Sequence, residues 1–262
     1  MTLSRDMIEQ AADLLAAADA DAAPIGQLTR RYPHMDVADA YAIQQVNLAQ
    51  RVRQGRKVVG HKIGLTSEPM QTLLGVDEPD FGYLLDDMVA ADGSTVRCSR
   101  FCAPRVEPEV AFLLHTPLRG PGITAAQVRT ATEAVAVALE IVDSRIADWR
   151  LTLRDTVADN ASSAAVVLGP WVRYTDDLDL PAMAGTLSLN GTDIDSGRGS
   201  AVLGDPAEAV AWLGNALAPF GTELLPGQFV MSGSFTSAAF VHPGDTASAA
   251  ITGLGSVSLT FT

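Results

Sequence analysis

Residues 105–110 read RVEPEV and lie inside the apolar run FCAPRVEPEVAFLL (101–114). The run has the look of a buried strand, yet it carries two carboxylates, Glu107 and Glu109, with a proline between them. In an extended chain successive side chains alternate between faces. Val106, Pro108, Val110 and Phe112 then share one face, and Arg105, Glu107, Glu109 and Ala111 share the other. The Cα atoms of the two glutamates would be about 6.5–7 Å apart. That is too far for direct contact and close enough for both side chains to lean onto one cation. An ionised carboxylate is costly to bury alone, so either a positive charge lies between them or they face water.

A second apolar run, AVAVALEIV (134–142), also contains an acid out of place, Glu140. Three carboxylates projecting from strands into one pocket would make an oxygen-rich site suited to Mg²⁺ or Mn²⁺. The plainer alternative pairs Glu107 with Arg105 or Arg145 and leaves the other two solvated; strand spacing alone does not separate the two readings. GHKIGL (60–65) is the next oddity, because Lys62 sits in an apolar run bounded by glycines that allow close backbone approach. Such a lysine can bind a carboxylate or exchange protons when desolvated. An exposed lysine guarding a sheet edge is the commoner case. Alternation turns His61 away from Lys62, which favours a structural role for it. Asp80 is one of several acids in GVDEPDFGYL, and DTVADNAS (155–162) and SGSFT (232–236) offer small hydroxyl and amide groups for a substrate or a turn.

Around these segments the chain of 262 residues, 47% hydrophobic and 19% charged, has the balance of a globular protein with a sizeable core. A net charge of −13 argues against nucleic acid or an anionic membrane as the main partner. The two cysteines, Cys98 and Cys102, are too few for a disulfide framework and lack the second pair of a zinc site. Asp6, Glu9 and Asp13 interrupt any secretory apolar stretch at the N-terminus, and no run reaches the ~18 residues of a membrane span, so a cytoplasmic protein is expected.

Helices are expected over 7–18, over 37–54 with Asp36 or Met35 as cap, and over 67–75 with Ser67 as cap, Pro69 in the first turn and Gly75 as stop. PIGQLTRRYPH (24–34) and VDEPDFGYLLDDM (76–88) read as loops, and VVGHKIGL (58–65) as a short strand ending at Gly64. Thr124 and Gln127 fit a capping box, Asn190-Gly191 marks a hairpin, and Asp205-Pro206 starts another helix. The tail from residue 228 is strand and turn. Consecutive strands without regular helical crossovers argue against a dinucleotide-binding fold and for an α+β protein with a mixed sheet or β-roll. Signatures of a nucleophilic serine, a phosphate loop, a dinucleotide site or a DNA reader are absent from the sequence.

Taken in order, GHKIGLTS, MQTLLGVDEPDFGYLL, PRVEPEVAFLL, ALEIVDSRIADW and DTVADNASS resemble the hydratase/decarboxylase branch of the fumarylacetoacetate hydrolase superfamily. The likeness runs from the RYP of the first loop to the closing GLGSVSLTF, and within the branch it is greatest to hydratases of 2-hydroxypenta-2,4-dienoate, which act in aromatic and steroid ring catabolism. It implies a mixed β-roll with a small N-terminal α/β cap, divided here as 1–75 and 76–262, and a divalent metal, Mg²⁺ or Mn²⁺, on Glu107, Glu109 and Glu140. It also implies catalytic roles for Lys62 and Asp80, and substrate contacts at Leu65, Ser162 and Ser234. The implied substrate is a small anionic 2-hydroxydienoate or 2-oxo acid. The implied assembly is a homo-oligomer, with a downstream aldolase or a related decarboxylase as a possible partner. Rival readings are a 4-oxalocrotonate decarboxylase, which would need a further cation for a distal carboxylate; an acylpyruvate hydrolase, which would need a histidine where none of His34, His61, His115 and His242 stands; and a non-catalytic pathway partner, which would not need an intact glutamate triad.

Overall fold

The computed structural model describes residues 2–67, 71–72 and 75–262. Most of the helix expected at 67–75 therefore lies outside the described residues. Three helices open the chain: α1 (Arg5–Asp21), α2 (Leu28–Arg31) and α3 (Val37–Arg53). Asp36, not Met35, caps α3, its carboxylate accepting from Asp39 N while Asp39 reaches back in a capping box. α2 lies within the stretch expected as loop; it is a single turn that buries Leu28 beneath α1 and α3.

Fourteen strands follow among the described residues. They are β1 (Val58–Gly64), β2 (Asp80–Leu85), β3 (Val89–Ala90), β4 (Thr95–Val96), β5 (Arg105–Leu114), β6 (Thr132–Val142) and β7 (Ser163–Leu168), then β8 (Val172–Arg173), β9 (Ala184–Leu189), β10 (Thr192–Arg198), β11 (Phe229–Ser234), β12 (Ala239–Phe240), β13 (Thr246–Ile251) and β14 (Gly255–Phe261). Between them lie α4 (Ala125–Ala131), α5 (Leu153–Ala158) and α6 (Pro206–Leu217). Thr124 and Gln127 form the expected capping box of α4, Asp205 caps α6, and Asn190 and Gly191, both at positive φ, turn the β9–β10 hairpin.

The larger sheet runs β2-β1-β11-β5-β6-β7-β3, with β12 on β5 and β8 on β6; the smaller runs β10-β9-β13-β14-β4. Parallel and antiparallel pairs mix, as in β1–β11 and β5–β6. The α+β roll expected from the strand-rich body is thus the fold observed. Val106, Val110 and Phe112 of β5 and Val135, Val137, Leu139 and Ile141 of β6 bury against Leu187, Ala249, Val257, Leu259 and Phe261 of the smaller sheet. Alternation sends Glu107, Glu109, Ala111, Ala138 and Glu140 to the opposite face. There Ala111 and Ala138 pack with Met231, Phe229, Val166, Leu84 and Met88.

One sequence reading is corrected. The segment expected as an acidic loop contains β2, buried at all six positions and paired antiparallel with β1 over Leu85 to Asp80. Its glycine and acid disguised a strand whose side chains find partners on both faces. β1 lies between β2 and β11, so Lys62 is no edge residue, and this strand, which precedes the expected boundary at 75, is internal to the large sheet.

Candidate metal and proton-transfer site

β5 and β6 bring the three glutamates together. Their register sets Glu107 directly opposite Glu140 and Glu109 opposite Ala138. One carboxylate oxygen from each of Glu107, Glu109 and Glu140 lies within 4.8 Å of the others. Glu140 is 0% and Glu109 1% exposed, while Glu107 is half-buried. Glu109 Oε2 accepts from Gly233 N at 2.8 Å. Neither oxygen of Glu140 has a well-formed hydrogen bond; Lys62 Nζ approaches Oε1 at 3.5 Å.

Electrostatics sharpen the imbalance. Burial pushes Glu107 up to about 7, and Glu140 beside it pushes the same way against Lys62 and Arg105. Burial, then Glu140 and Glu107, holds Glu109 well above the ordinary carboxylate value. Glu140 is raised by burial in spite of Lys62. One ammonium cannot neutralise three carboxylates. An all-carboxylate donor set with orphaned buried oxygens fits a hard divalent cation, Mg²⁺ or Mn²⁺. The pairings that would have made the cluster ordinary are not made: Arg145 is engaged by Asp159, and Arg105 has no salt-bridge partner among the described residues.

Lys62 is 4% exposed, and its Nζ donates to Ala161 O at 3.0 Å. Burial opposes its charge, but Glu140, Asp80, Glu109 and Glu107 outweigh burial and raise its pKa. Asp80, the first residue of β2, is 2% exposed and lies close to Lys62, whose charge opposes the rise that burial imposes on its carboxyl. Thr156 Oγ1 lies 3.4 Å from Asp80 Oδ2 and 3.4 Å from Ser162 Oγ. Gly64 permits this meeting. A Cβ there would collide with the Asp80 carboxylate and stand 3.2 Å from Lys62 Nζ. Gly233, at φ 108°, has a like role, since a Cβ would run into Thr66.

Asn160, Ala161 and Ser162 are three consecutive non-glycine residues at positive φ, 54°, 51° and 55°. Such backbone is costly and persists only when its surroundings fix it. Asn160 is fixed by accepting from Tyr83 N and donating to Tyr83 O. Asp159 is fixed by Arg145, which donates from N at 2.9 Å and from Nη2 to the Asp159 carbonyl at 2.7 Å. The strained turn aims Ala161 O at Lys62 and sets Ser162 by Thr156. Thr156, Ala161, Gly233 and the Arg145–Asp159 pair went unrecognised in the sequence. The acids and arginine of ALEIVDSRIADW, and the polar cluster DTVADNAS that follows, were the available signal.

Of the expected substrate contacts, Ser162 is buried and adjoins Thr156. Leu65 adopts φ 56° and its carbonyl accepts from Gln71 Nε2 at 2.9 Å. Ser234 lies opposite Glu109, with its Oγ donating to Thr236 O. His61 is buried on the far face beside Tyr83, its ring nitrogens unbonded and burial lowering it to about 4, as a core residue. Cys98 and Cys102 are free thiols. A cavity of about 520 Å³ between α1, α3 and the β2–β7 seam has none of the glutamates, Lys62 or Asp80 in its lining. No described helix is long and apolar enough to cross a membrane.

Comparison with known proteins places these residues in context. The family model described as fumarylacetoacetate (FAA) hydrolase C-terminal matches residues 41–262. A 2-hydroxyhexa-2,4-dienoate hydratase of Comamonas testosteroni is 44% identical over 98% of this chain and 98% of its own. A 2-keto-4-pentenoate hydratase of Paraburkholderia xenovorans is 44% identical over 97% of this chain and 94% of its own. A solved structure of 4-oxalocrotonate decarboxylase from Pseudomonas putida G7, complexed with magnesium and adipate, superposes with a TM-score of 0.97 at 36% identity, covering 100% of this chain and 99% of that one.

Proposed function

This chain belongs to the fumarylacetoacetate hydrolase family, and from that premise we propose that it hydrates 2-hydroxypenta-2,4-dienoate or a close homologue to a 4-hydroxy-2-oxo acid. It is a carbon–oxygen lyase, and its cofactor is a divalent metal. The observation that carries the reading is the triad of Glu107, Glu109 and Glu140 with Lys62 and Asp80 beside it. Hydratases at 44% identity over nearly the whole chain support the reaction.

Glu107, Glu109 and Glu140 would hold the ion, which when bound supplies Lewis-acid stabilisation of negative charge on the substrate's C2 oxygen. Lys62, held protonated by the surrounding carboxylates, fixes a positive charge next to Glu140. It favours binding of the substrate carboxylate and of the enolate-like form. Asp80 is the group suited to exchange protons, because burial raises its pKa above the ordinary carboxylate value and Thr156 and Lys62 stand beside it. In this reading it serves the protonation at C5 that turns the dienol into a 2-oxo-3-enoate, whose polarised chain then accepts water at C4. Thr156 and Ser162 orient the Asp80 carboxylate and offer hydroxyls to the incoming water. Leu65 and Ser234 line the substrate's path, and a homo-oligomer is the expected assembly.

The test follows the ultraviolet band of freshly generated 2-hydroxypenta-2,4-dienoate with Mg²⁺ and then with EDTA, identifying the product by mass. Chelator-sensitive loss of the band with gain of one water is expected. An inert dienoate together with CO₂ release from 4-oxalocrotonate would replace the hydratase reading with that of the decarboxylase, which shares the fold.

A further inference from the structure

β2 ends the order of the larger sheet, so among the described residues its outer edge has no strand beside it. At Tyr83 a side chain takes that place. Asn160 Oδ1 accepts from Tyr83 N at 2.8 Å, and Asn160 Nδ2 donates to Tyr83 O at 3.0 Å. One carboxamide thus satisfies both backbone groups of a strand residue, as a neighbouring strand would. The residue before Tyr83 is Gly82, which stands directly opposite Lys62 in the β1–β2 register. A Cβ at Gly82 would collide with the Asn160 carbonyl, so the turn is pressed onto β2 where glycine leaves room for it.

Both groups assigned to the reaction hang from this turn. Lys62 Nζ donates to Ala161 O at 3.0 Å, nearer than its 3.5 Å approach to Glu140. Ser162 Oγ lies 3.4 Å from Thr156 Oγ1, which lies 3.4 Å from Asp80 Oδ2. Ala161 has no polar side chain with which to set its own carbonyl. That direction comes from left-handed backbone at 160, 161 and 162, which asparagine tolerates better than alanine or serine. After Ala161 the chain is tied by Asp143 N, which donates to Ser162 O at 2.8 Å, and by Arg145 Nη1, which donates to Ser163 O at 3.1 Å. Before Ala161, Arg145 holds Asp159, and Asn160 is the remaining tie. Among the described residues the Asn160 carboxamide is bonded to Tyr83 and to neither Lys62 nor Asp80, so its effect on them passes through Ala161 and Ser162.

We propose that Asn160 is a positioning residue: by pairing with Tyr83 it folds the 160–162 turn around the β2 edge, and so holds the Ala161 carbonyl on Lys62 and the Ser162–Thr156 pair by Asp80. The proposal rests on the reading of Lys62 and Asp80 as the groups that act on the substrate. The competing role is a plain brace for β2, which would lower the melting temperature and leave each folded molecule as active as before.

The test compares wild type with Asn160→Gly and Asn160→Asp. Glycine accepts the left-handed backbone and removes the carboxamide; aspartate keeps an acceptor for Tyr83 N and loses the donor to Tyr83 O. Hydrogen exchange over 81–85 and 159–163 reads the pairing, calorimetry reads Mg²⁺ affinity, and steady-state kinetics separates kcat from KM. In Asn160→Gly, exchange should quicken in both segments and Mg²⁺ affinity should hold, while kcat falls about 100-fold, the cost of a displacement of about 1 Å, and KM changes far less. Asn160→Asp should fall between, and it decides by the same readings if the glycine variant fails to fold. Faster exchange with kcat unchanged, exchange that does not quicken, or a parallel loss of Mg²⁺ affinity overturns the proposal. Turnover is read on 2-hydroxypenta-2,4-dienoate, and on 4-oxalocrotonate if wild type leaves the dienoate unchanged, so that failure of the hydratase reading alone leaves this test standing. Wild type that binds Mg²⁺ and is inert on both substrates overturns the roles of Lys62 and Asp80 and this proposal together.

Discussion

Glu107 and Glu140 face each other directly across the antiparallel register of β5 and β6. Like charges directly opposed on one sheet face destabilise it, and here a third carboxylate, Glu109, closes the group. Lys62 answers one of the three charges. A sheet that keeps this arrangement in its interior is built around a further cation, and the energetic cost of the metal-free state is the counterpart of affinity for the metal.

Glu109→Gln tests that relationship with little steric change. The amide oxygen can still accept from Gly233 N, so the fold should hold. Mg²⁺ binding by calorimetry and turnover should fall to background, while the melting temperature in EDTA at neutral pH stays level or rises, because a buried carboxylate with a raised pKa has been removed. Glu107→Gln and Glu140→Gln should likewise abolish metal-dependent turnover. Near-wild-type activity and Mg²⁺ binding in these variants would remove the metal assignment.

Lys62→Met should lower turnover by about 10²–10⁴-fold, the range of a positioned charge or proton-transfer group. Mg²⁺ affinity should persist, since the ligands are untouched. The substitution also strips the carboxylates of their one buried counter-charge, so the metal-free protein should melt earlier and Mg²⁺ should restore more stability than in wild type. An unchanged rate would return Lys62 to a structural part.

Gly64→Ala separates positioning from folding. The added methyl would meet the Asp80 carboxylate and crowd Lys62 Nζ, displacing the two groups that the proposed reaction uses. Misplacement by about 1 Å can cost about 100-fold in rate. A loss of that order in kcat is expected with Mg²⁺ binding kept. A variant as active as wild type would show that the close approach of Asp80 and Lys62 is not used.

The strand that carries the glutamates was legible because its signal is local: an acid at every second position in an apolar run, with Glu140 alone in another. The caps at Thr124 and Asp205 and the Asn190-Gly191 turn were legible for the same reason. What could not be read was register. Nothing near Glu140 in the chain says that it lies opposite Glu107, and nothing near Lys62 says that β2 and β11 bury it from either side. β2 itself was hidden, because Asp80 and Gly82 suit a loop until Lys62 and Asn160 are placed against them. The turn at 160–162 owes its left-handed backbone to Tyr83 and Arg145, both distant in sequence.

Metal removal should make stability depend on pH in a defined direction. Glu107 has an ordinary value of 4.5 and is pushed up to about 7, first by burial and then by Glu140; Glu109 and Glu140 move the same way. A carboxyl raised in the folded state binds more protons there than in the unfolded chain. Its stabilising contribution is therefore complete below about pH 4.5 and is lost as pH rises through about 7. Lys62 is raised from 10.5 and stays charged across this window, so it adds no slope there. The melting temperature in EDTA should accordingly fall more steeply between about pH 5 and pH 8 than that of the Mg²⁺-loaded protein, so that the gap between them widens with pH. Binding should also release protons, more at pH 6 than at pH 8.5, seen by calorimetry in buffers of different ionisation heat. Asp159, raised to about 7 chiefly by burial, adds slope to both forms alike and cancels in the difference. A gap that is constant with pH, or that narrows as pH rises, would mean that the three glutamates are not the groups that give up their protons to the metal.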